Sequence, residues 1–302
     1  MCAIFGIIDY KKVLSKVQRE QMLKVLANEC MSRGTDATGI SYLKNNSLTI
    51  YKRPKKANKM RFKLPVDSNV IMGHTRMTTQ GNEKFNFNNH PFLGRAGKSK
   101  FALAHNGVIY NDTSLRKSEK LPKTHIETDS YIAVQLIEKE NVLNFNSIKN
   151  MAEKVSGSFC FSILDENKNL YLVKGSNPLC IMHFAQGFYV YASTQDIVKK
   201  FMEKLKLSLL NRTEICLEEG DILHIDCRGN LNKTKFEFDS LDYYLSRRNV
   251  MYSHEFLNDN FYLEDIKSVA SSFGYTSDDV DKLISQGFTL EEIEEFFYGY
   301  IY

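Results

Sequence analysis

The second residue of this 302-residue chain is a cysteine that runs straight into an apolar stretch closed by glycine, Cys2-Ala3-Ile4-Phe5-Gly6. If Met1 is removed, the thiol and the α-amino group of Cys2 stand on one residue, a nucleophile beside a base of pKa about 8. The small cysteine side chain favours removal of the initiator methionine, so processing is expected. Cys2 to Ile8 reads as a buried first strand with Asp9-Tyr10-Lys11 as its exit. The competing reading is an ordinary buried thiol at a strand start, since the chain holds six cysteines.

Five further stretches follow in order. They are Arg33-Gly34-Thr35-Asp36-Ala37-Thr38-Gly39, Gly73-His74-Thr75-Arg76-Met77-Thr78-Thr79-Gln80-Gly81, Asn89-His90-Pro91, His105-Asn106-Gly107 and Glu127-Thr128-Asp129. An arginine such as Arg76 suits a carboxylate, because its guanidinium donates two parallel hydrogen bonds. Asn106-Gly107 by itself would be read as a hairpin turn, and Asp129 as a helix N-cap.

In this order behind Cys2, the set resembles the glutaminase domain of class II glutamine amidotransferases, the group shared by glucosamine-6-phosphate synthase, the first enzyme of purine synthesis and asparagine synthetase B. The resemblance implies that Cys2 is the nucleophile, that the Asn106 side-chain amide and the Gly107 backbone amide hold the oxyanion, and that Arg33 supports the nucleophile's loop. It implies that Arg76, Thr79 and His90 line the substrate site and that Asp129 meets the substrate α-ammonium. Arg76 and Asp129 together would read both charged ends of L-glutamine and leave its side-chain amide toward Cys2. No cofactor is implied. Two positions depart from relatives: Gln80 stands where some carry histidine, and Met77 where glucosamine-6-phosphate synthase has the tryptophan that gates ammonia.

Composition sets the outer limits. With 43% hydrophobic residues the chain can bury a sizeable core. There is no apolar run of about eighteen residues and no apolar secretion segment, so neither a membrane span nor export is expected. Cysteines 2, 30, 160, 180, 216 and 227 form no CxxC pair. A reducing, cytoplasmic setting is the reading, without a disulfide framework or zinc site. His74, His90, His105 and His125 are irregularly spaced, and no metal is expected.

Elsewhere the pattern alternates strands and helices. Ser15 precedes a helix to about Met31 carrying Val17, Leu23, Leu26 and Cys30. Residues 40 to 51 read as a hairpin around Lys44-Asn45-Asn46-Ser47. Val70 to Met72 reads as a strand delivering Gly73 to Arg76 to a loop, and Phe101 to Ala104 as a short strand ending on His105-Asn106-Gly107. A helix is expected from Glu127 to about Glu138 and another over 146 to 155. Hairpins follow across Asp165 to Lys168 and Arg228-Gly229-Asn230, with a helix capped by Ser193-Thr194 between them. Lys52, Arg53, Lys55, Lys56, Lys59, Arg61 and Lys63 stand together without an acid. An anion or nucleic-acid contact there competes with a solvated loop, and the loop is preferred because no aromatic platform accompanies the charge.

Pattern alone yields an α+β class, and the resemblance implies a four-layer αββα sandwich. Two regions are expected: a glutaminase domain over 2–235 and a helical extension over 236–302. In the extension Thr276 with Asp279 and Thr289 with Glu292 read as capping boxes, and Gly274 and Gly287 as helix stops. Helices are expected over Leu263 to Phe273, Ser277 to Gln286 and Leu290 to Tyr298. The extension is either a docking module, for a synthetase partner or a second copy of the chain, or a helical cap. No pyrophosphatase or phosphate-loop motif appears, so ammonia transfer to an acceptor on a separate partner is expected. A stand-alone γ-glutamyl amide hydrolase and a catalytically silent binding module are the alternatives.

Overall fold

The computed structural model describes residues 2–238, 263, 266–267, 270, 275–290 and 292–293. Its first half runs β1 (Ala3–Ile8), α1 (Lys16–Glu29), β2 (Ala37–Lys44), β3 (Ser47–Arg53), β4 (Val70–Arg76), β5 (Phe92–Ala96), β6 (Ser99–Ile109), α2 (Asp112–Ser118), α3 (Tyr131–Glu140) and α4 (Phe145–Lys154). There follow β7 (Gly157–Asp165), β8 (Leu170–Lys174), β9 (Cys180–Phe184), β10 (Phe188–Ala192), α5 (Gln195–Lys204), β11 (Arg212–Glu214), β12 (Asp221–Ile225), β13 (Leu231–Lys235) and α6 (Ser277–Ser285).

The strands form two antiparallel sheets, ordered β11-β9-β10-β1-β4-β2-β3 and β13-β12-β8-β7-β6-β5. Alternation along each strand divides the core into three layers. On β1, Ala3, Phe5 and Ile7 face a cluster with Met22, Leu23 and Leu26 of α1 and Ile197, Val198 and Phe201 of α5. Ile4 and Ile8 point the other way, into a cluster shared with Ala102, Ala104, Cys160 and Leu164 of the second sheet. On β6, Phe101 and Leu103 face Ile132, Leu136 and Ile148 of α3 and α4. The result is the expected four-layer αββα sandwich of an α+β chain. Gly6 is required at its centre: a Cβ there would lie 2.3 Å from the Tyr191 ring and 2.5 Å from the Ile71 carbonyl.

Local signals account for many of the ends. Ser15 caps α1 in a full capping box with Gln18, and Thr194 caps α5 by accepting from the Ile197 N–H. Asn45 and Asn46 both take left-handed φ values, 49° and 58°, so a two-residue turn joins β2 to β3.

Other expectations need correction. β4 continues through Arg76 instead of releasing Gly73 to Arg76 into a loop, because β1 and β2 pair with it along its length. β6 likewise runs on through His105-Asn106-Gly107, paired with β7. α3 begins at Tyr131, and Asp129 is not its cap. Val17 is 71% exposed; the buried face of α1 is Arg19, Met22, Leu23, Leu26 and Ala27. The basic stretch is partly core: Ala57, Met60 and Phe62 are buried between the cations, and Leu64 directly after them.

The chain divides into two compact units, Met1–Tyr243 and Tyr244–Tyr302. The first extends past the expected boundary at 235, since Phe236 is buried against the α3–α4 side of the second sheet and Phe238 packs beside Phe159. In the second, Thr276 and Asp279 cap α6 reciprocally, and Gly287 follows at φ +93°. Thr289 and Glu292 exchange the same pair of bonds. Val280, Ile266, Ala270 and Ile293 form a small core. Most of the expected helices over 263–273 and 290–298, and the glutamates at 291, 294 and 295, lie outside the described residues. No helix among the described residues is long and apolar enough to cross a membrane.

Candidate active site

Three strand ends and one loop assemble the site. β1 begins beside Cys2, and the register Ala3↔Thr75 places that end next to the end of β4. The chain after β4 doubles back so that the Met77 N–H points at Cys2 Sγ, 3.4 Å away. Burial pushes the Cys2 thiol up from its ordinary value. The Met77 N–H and the Arg76 charge work against that, and the Asp129 carboxylate adds to it. At rest Cys2 is therefore a thiol, which would need a base to act as a nucleophile.

Arg33 ties Cys2 to β6. Its Nε donates to the Cys2 carbonyl at 2.8 Å and its Nη2 to Asn106 Oδ1 at 3.5 Å. The Asn106 amide is thereby oriented, with its oxygen toward Arg33. Its Nδ2 is buried and has no hydrogen-bond partner among the described residues. An unsatisfied buried donor of this kind costs about 1–3 kcal/mol. Asn177, which the sequence reading did not single out, holds the same residue from behind by donating its Nδ2 to the Asn106 carbonyl at 2.8 Å. Gly107 follows with φ +146°, and a Cβ on it would sit 1.9 Å from the Ser158 carbonyl. Only glycine fits.

Arg76 and Asp129 lie across one loop. Arg76 is 3% exposed, donating to Asn89 Oδ1 at 2.8 Å and to the carbonyls of Gln80 and Gly81 at 2.5 and 3.0 Å. Asp129 accepts from the Ile109 N–H at 2.7 Å and from the Ser130 hydroxyl at 3.2 Å. Gln80 bridges them, since its side-chain oxygen accepts the Asp129 N–H at 3.0 Å while its carbonyl accepts from Arg76. Asp36 fixes the start of this loop by accepting the Thr78 N–H at 2.7 Å. Thr79 is exposed on the loop.

His90 is placed differently. Its ring is buried between His74, at 4.2 Å, and Phe92, at 4.4 Å between centroids, and so faces the interior. His74 Nε2 donates to the His105 carbonyl at 2.9 Å. Because the Ser130 proton lies toward Asp129, His105 Nδ1 is the donor in its 2.8 Å contact with Ser130 Oγ. Burial holds all three imidazoles neutral, His74 down to about 3 and His90 well below its usual range.

Asn89, Asn177 and Ser130 are the supporting residues that the sequence reading missed. Asn89 stood inside a motif already singled out, so its polar neighbours were the available signal. Nothing local marks Asn177, which is far from Asn106 in sequence.

Residues 56–200 match the family model described as a glutamine amidotransferase domain. The glutamine–fructose-6-phosphate aminotransferase of Staphylococcus epidermidis is 28% identical over 244 residues, 77% of this chain and 38% of that protein. The corresponding protein of Staphylococcus aureus is 29% identical over 241 residues, 76% and 38% of the two chains. The chain thus spans 38% of the length of these curated relatives. Among solved structures, the glutamine phosphoribosylpyrophosphate amidotransferase of B. subtilis superposes with a TM-score of 0.63 over 79% of this chain and 50% of its own, at 23% identity. That likeness is one of fold.

Proposed function

Since this chain carries a class II glutamine amidotransferase domain, we propose that it hydrolyses the side-chain amide of L-glutamine through a thioester on Cys2. The observation that carries this reading is the buried, unpartnered Nδ2 of Asn106, held in place by the arginine that also holds Cys2. A donor kept free at such a cost is suited to an oxygen that becomes negative only during reaction.

After Met1 is removed, the Cys2 α-amine takes the thiol proton, directly or through a water. The sulfur bonds to the δ-carbon of glutamine, and the carbonyl electrons move onto oxygen, met by Asn106 Nδ2 and the Gly107 N–H. Collapse of this intermediate breaks the C–N bond, and the proton passes to the departing ammonia. Water then adds to the thioester, the C–S bond breaks, and glutamate leaves with the thiol restored. Arg76 binds the α-carboxylate and Asp129 the α-ammonium, with Thr79 at the rim. The Asn89 side-chain oxygen meets Arg76, while the His90 ring packs between His74 and Phe92.

We propose further that ammonia released this way goes to an acceptor carried by a separate partner; amination of an acceptor by the purified chain alone would overturn this. We place the reaction in the cytoplasm, a setting suited to six free thiols. The test is an intact-mass spectrum before and after 6-diazo-5-oxo-L-norleucine, with glutaminase assay. Loss of Met1 and one adduct on Cys2 are expected; a retained Met1 without adduct or ammonia release overturns the reading.

A further inference from the structure

Lys52 begins the basic stretch, yet it is not one of its solvated charges. It is half-buried at the end of β3, and its Nζ donates to the carbonyls of Asn89 at 2.5 Å and Pro91 at 3.2 Å. The same ammonium lies 5.0 Å over the Phe92 ring. Its own carbonyl accepts from Asn86 Nδ2 at 3.0 Å, so both ends of Lys52 grip the segment 86–91. That segment delivers Asn89 Oδ1 to Arg76. Asn89 Nδ2 in turn donates to the Glu83 carbonyl at 2.8 Å, which fixes the rotation of the amide.

We propose that Lys52 is a positioning residue for glutamine binding: by clamping the Asn89 and Pro91 carbonyls it holds Asn89 against Arg76 and so presets the guanidinium for the substrate α-carboxylate. This rests on the function proposed above. The ammonium touches no reacting atom. Its influence therefore falls on the α-carboxylate, whose binding is equal in ground and transition states, and shows in KM before kcat.

The groups facing Lys52 are Arg76 and His74 of β4 and His90 of the next loop, the two imidazoles being neutral. Burial first, and the Arg76 charge second, bring the Lys52 ammonium down to about 8. As pH rises through that value the clamp loses its charge, and a charge-assisted bond is stronger than a neutral one.

The test is steady-state glutamine hydrolysis by the full chain from about pH 7 to 9, with Lys52→Met and Lys52→Arg beside the wild type. Lys52→Met keeps the stem over Phe92 and removes the charge. Its KM is expected to rise about tenfold with kcat within about twofold. Lys52→Arg is expected to restore the neutral-pH KM and to abolish the rise in KM expected of the wild type above about pH 8. A folded Lys52→Met enzyme with unchanged KM overturns the inference, as does an equal loss of kcat and kcat/KM. If Lys52→Met does not fold, the wild-type arm decides, and a KM flat through this pH range overturns it. A wild type that hydrolyses no glutamine at any pH removes the parent reading and this inference together, whereas an active wild type with these negative results removes this inference alone.

Discussion

At Asn106 the side-chain amide is divided between two duties, its oxygen spent on Arg33 and its nitrogen kept unpartnered in a buried place. Asn106→Ala removes the nitrogen and leaves the strand path intact, so kcat for glutamine hydrolysis should fall about a hundred- to a thousandfold while the far-UV spectrum is unchanged. A loss under tenfold would move the oxyanion elsewhere. The Cys2 thiol, raised by burial, is protonated near neutrality and gains thiolate as pH rises. In a background with the exposed Cys216 and Cys227 replaced by serine, alkylation of Cys2 by iodoacetamide should therefore accelerate steadily between about pH 7 and 9. A rate already at its plateau at the lower end would show a resting thiolate and contradict the burial argument.

The elements set these residues by pairing. β6 is long because β7 matches it from Ile109↔Gly157 to Phe101↔Asp165, and this ladder carries Asn106 and Gly107 to the site as strand residues. Gly107 lies where β7 comes too close for any side chain. Gly107→Ala should cost at least about 1–3 kcal/mol in urea unfolding and abolish hydrolysis. An alanine variant of wild-type stability would mean the two strands part easily. In the helix layer over the first sheet, α1 depends on its capping box, and Ser15→Ala should lower stability by about 0.5–2 kcal/mol without changing KM. The sequence reading ended β4 and β6 early because Gly73 and the Asn-Gly pair are breakers in isolation. Ladder partners on both sides outweigh that local preference.

Across the whole molecule, three neutral histidines lie buried on the two sheets and the loop that joins them. An unfolded histidine takes a proton near its ordinary 6.5, whereas folded His74 resists down to about 3. The unfolded chain thus binds more protons in that window, and stability is present above it and lost as pH falls through it. The urea midpoint should drop steadily from pH 6.5 downward, and a flat profile would show that the imidazoles ionise in place. The two compact units lead to one more expectation. A chain ending at Tyr243 should unfold in a single transition and keep kcat/KM for glutamine within about twofold. A loss of activity there would overturn this expectation.

The order of the motifs behind Cys2, the caps at Ser15, Thr194 and Thr276, and the two-asparagine turn after β2 were all legible in the sequence, because each depends on residues within a few positions of one another. What the tertiary structure alone decided is which polar atoms are satisfied. The Asn106 amide is oriented by an arginine 73 residues away and its carbonyl by an asparagine 71 residues away. Lys52 becomes a clamp only because the loop before Pro91 closes over it 37 residues later. His90, read beforehand as a substrate contact, instead turns its ring into the interior between His74 and Phe92. A hydrogen bond costs little to lose in water and much to lose when buried. Burial is set by the closing of two sheets and not by any local string of residues, so the same asparagine, lysine or histidine takes its role from what the fold packs around it.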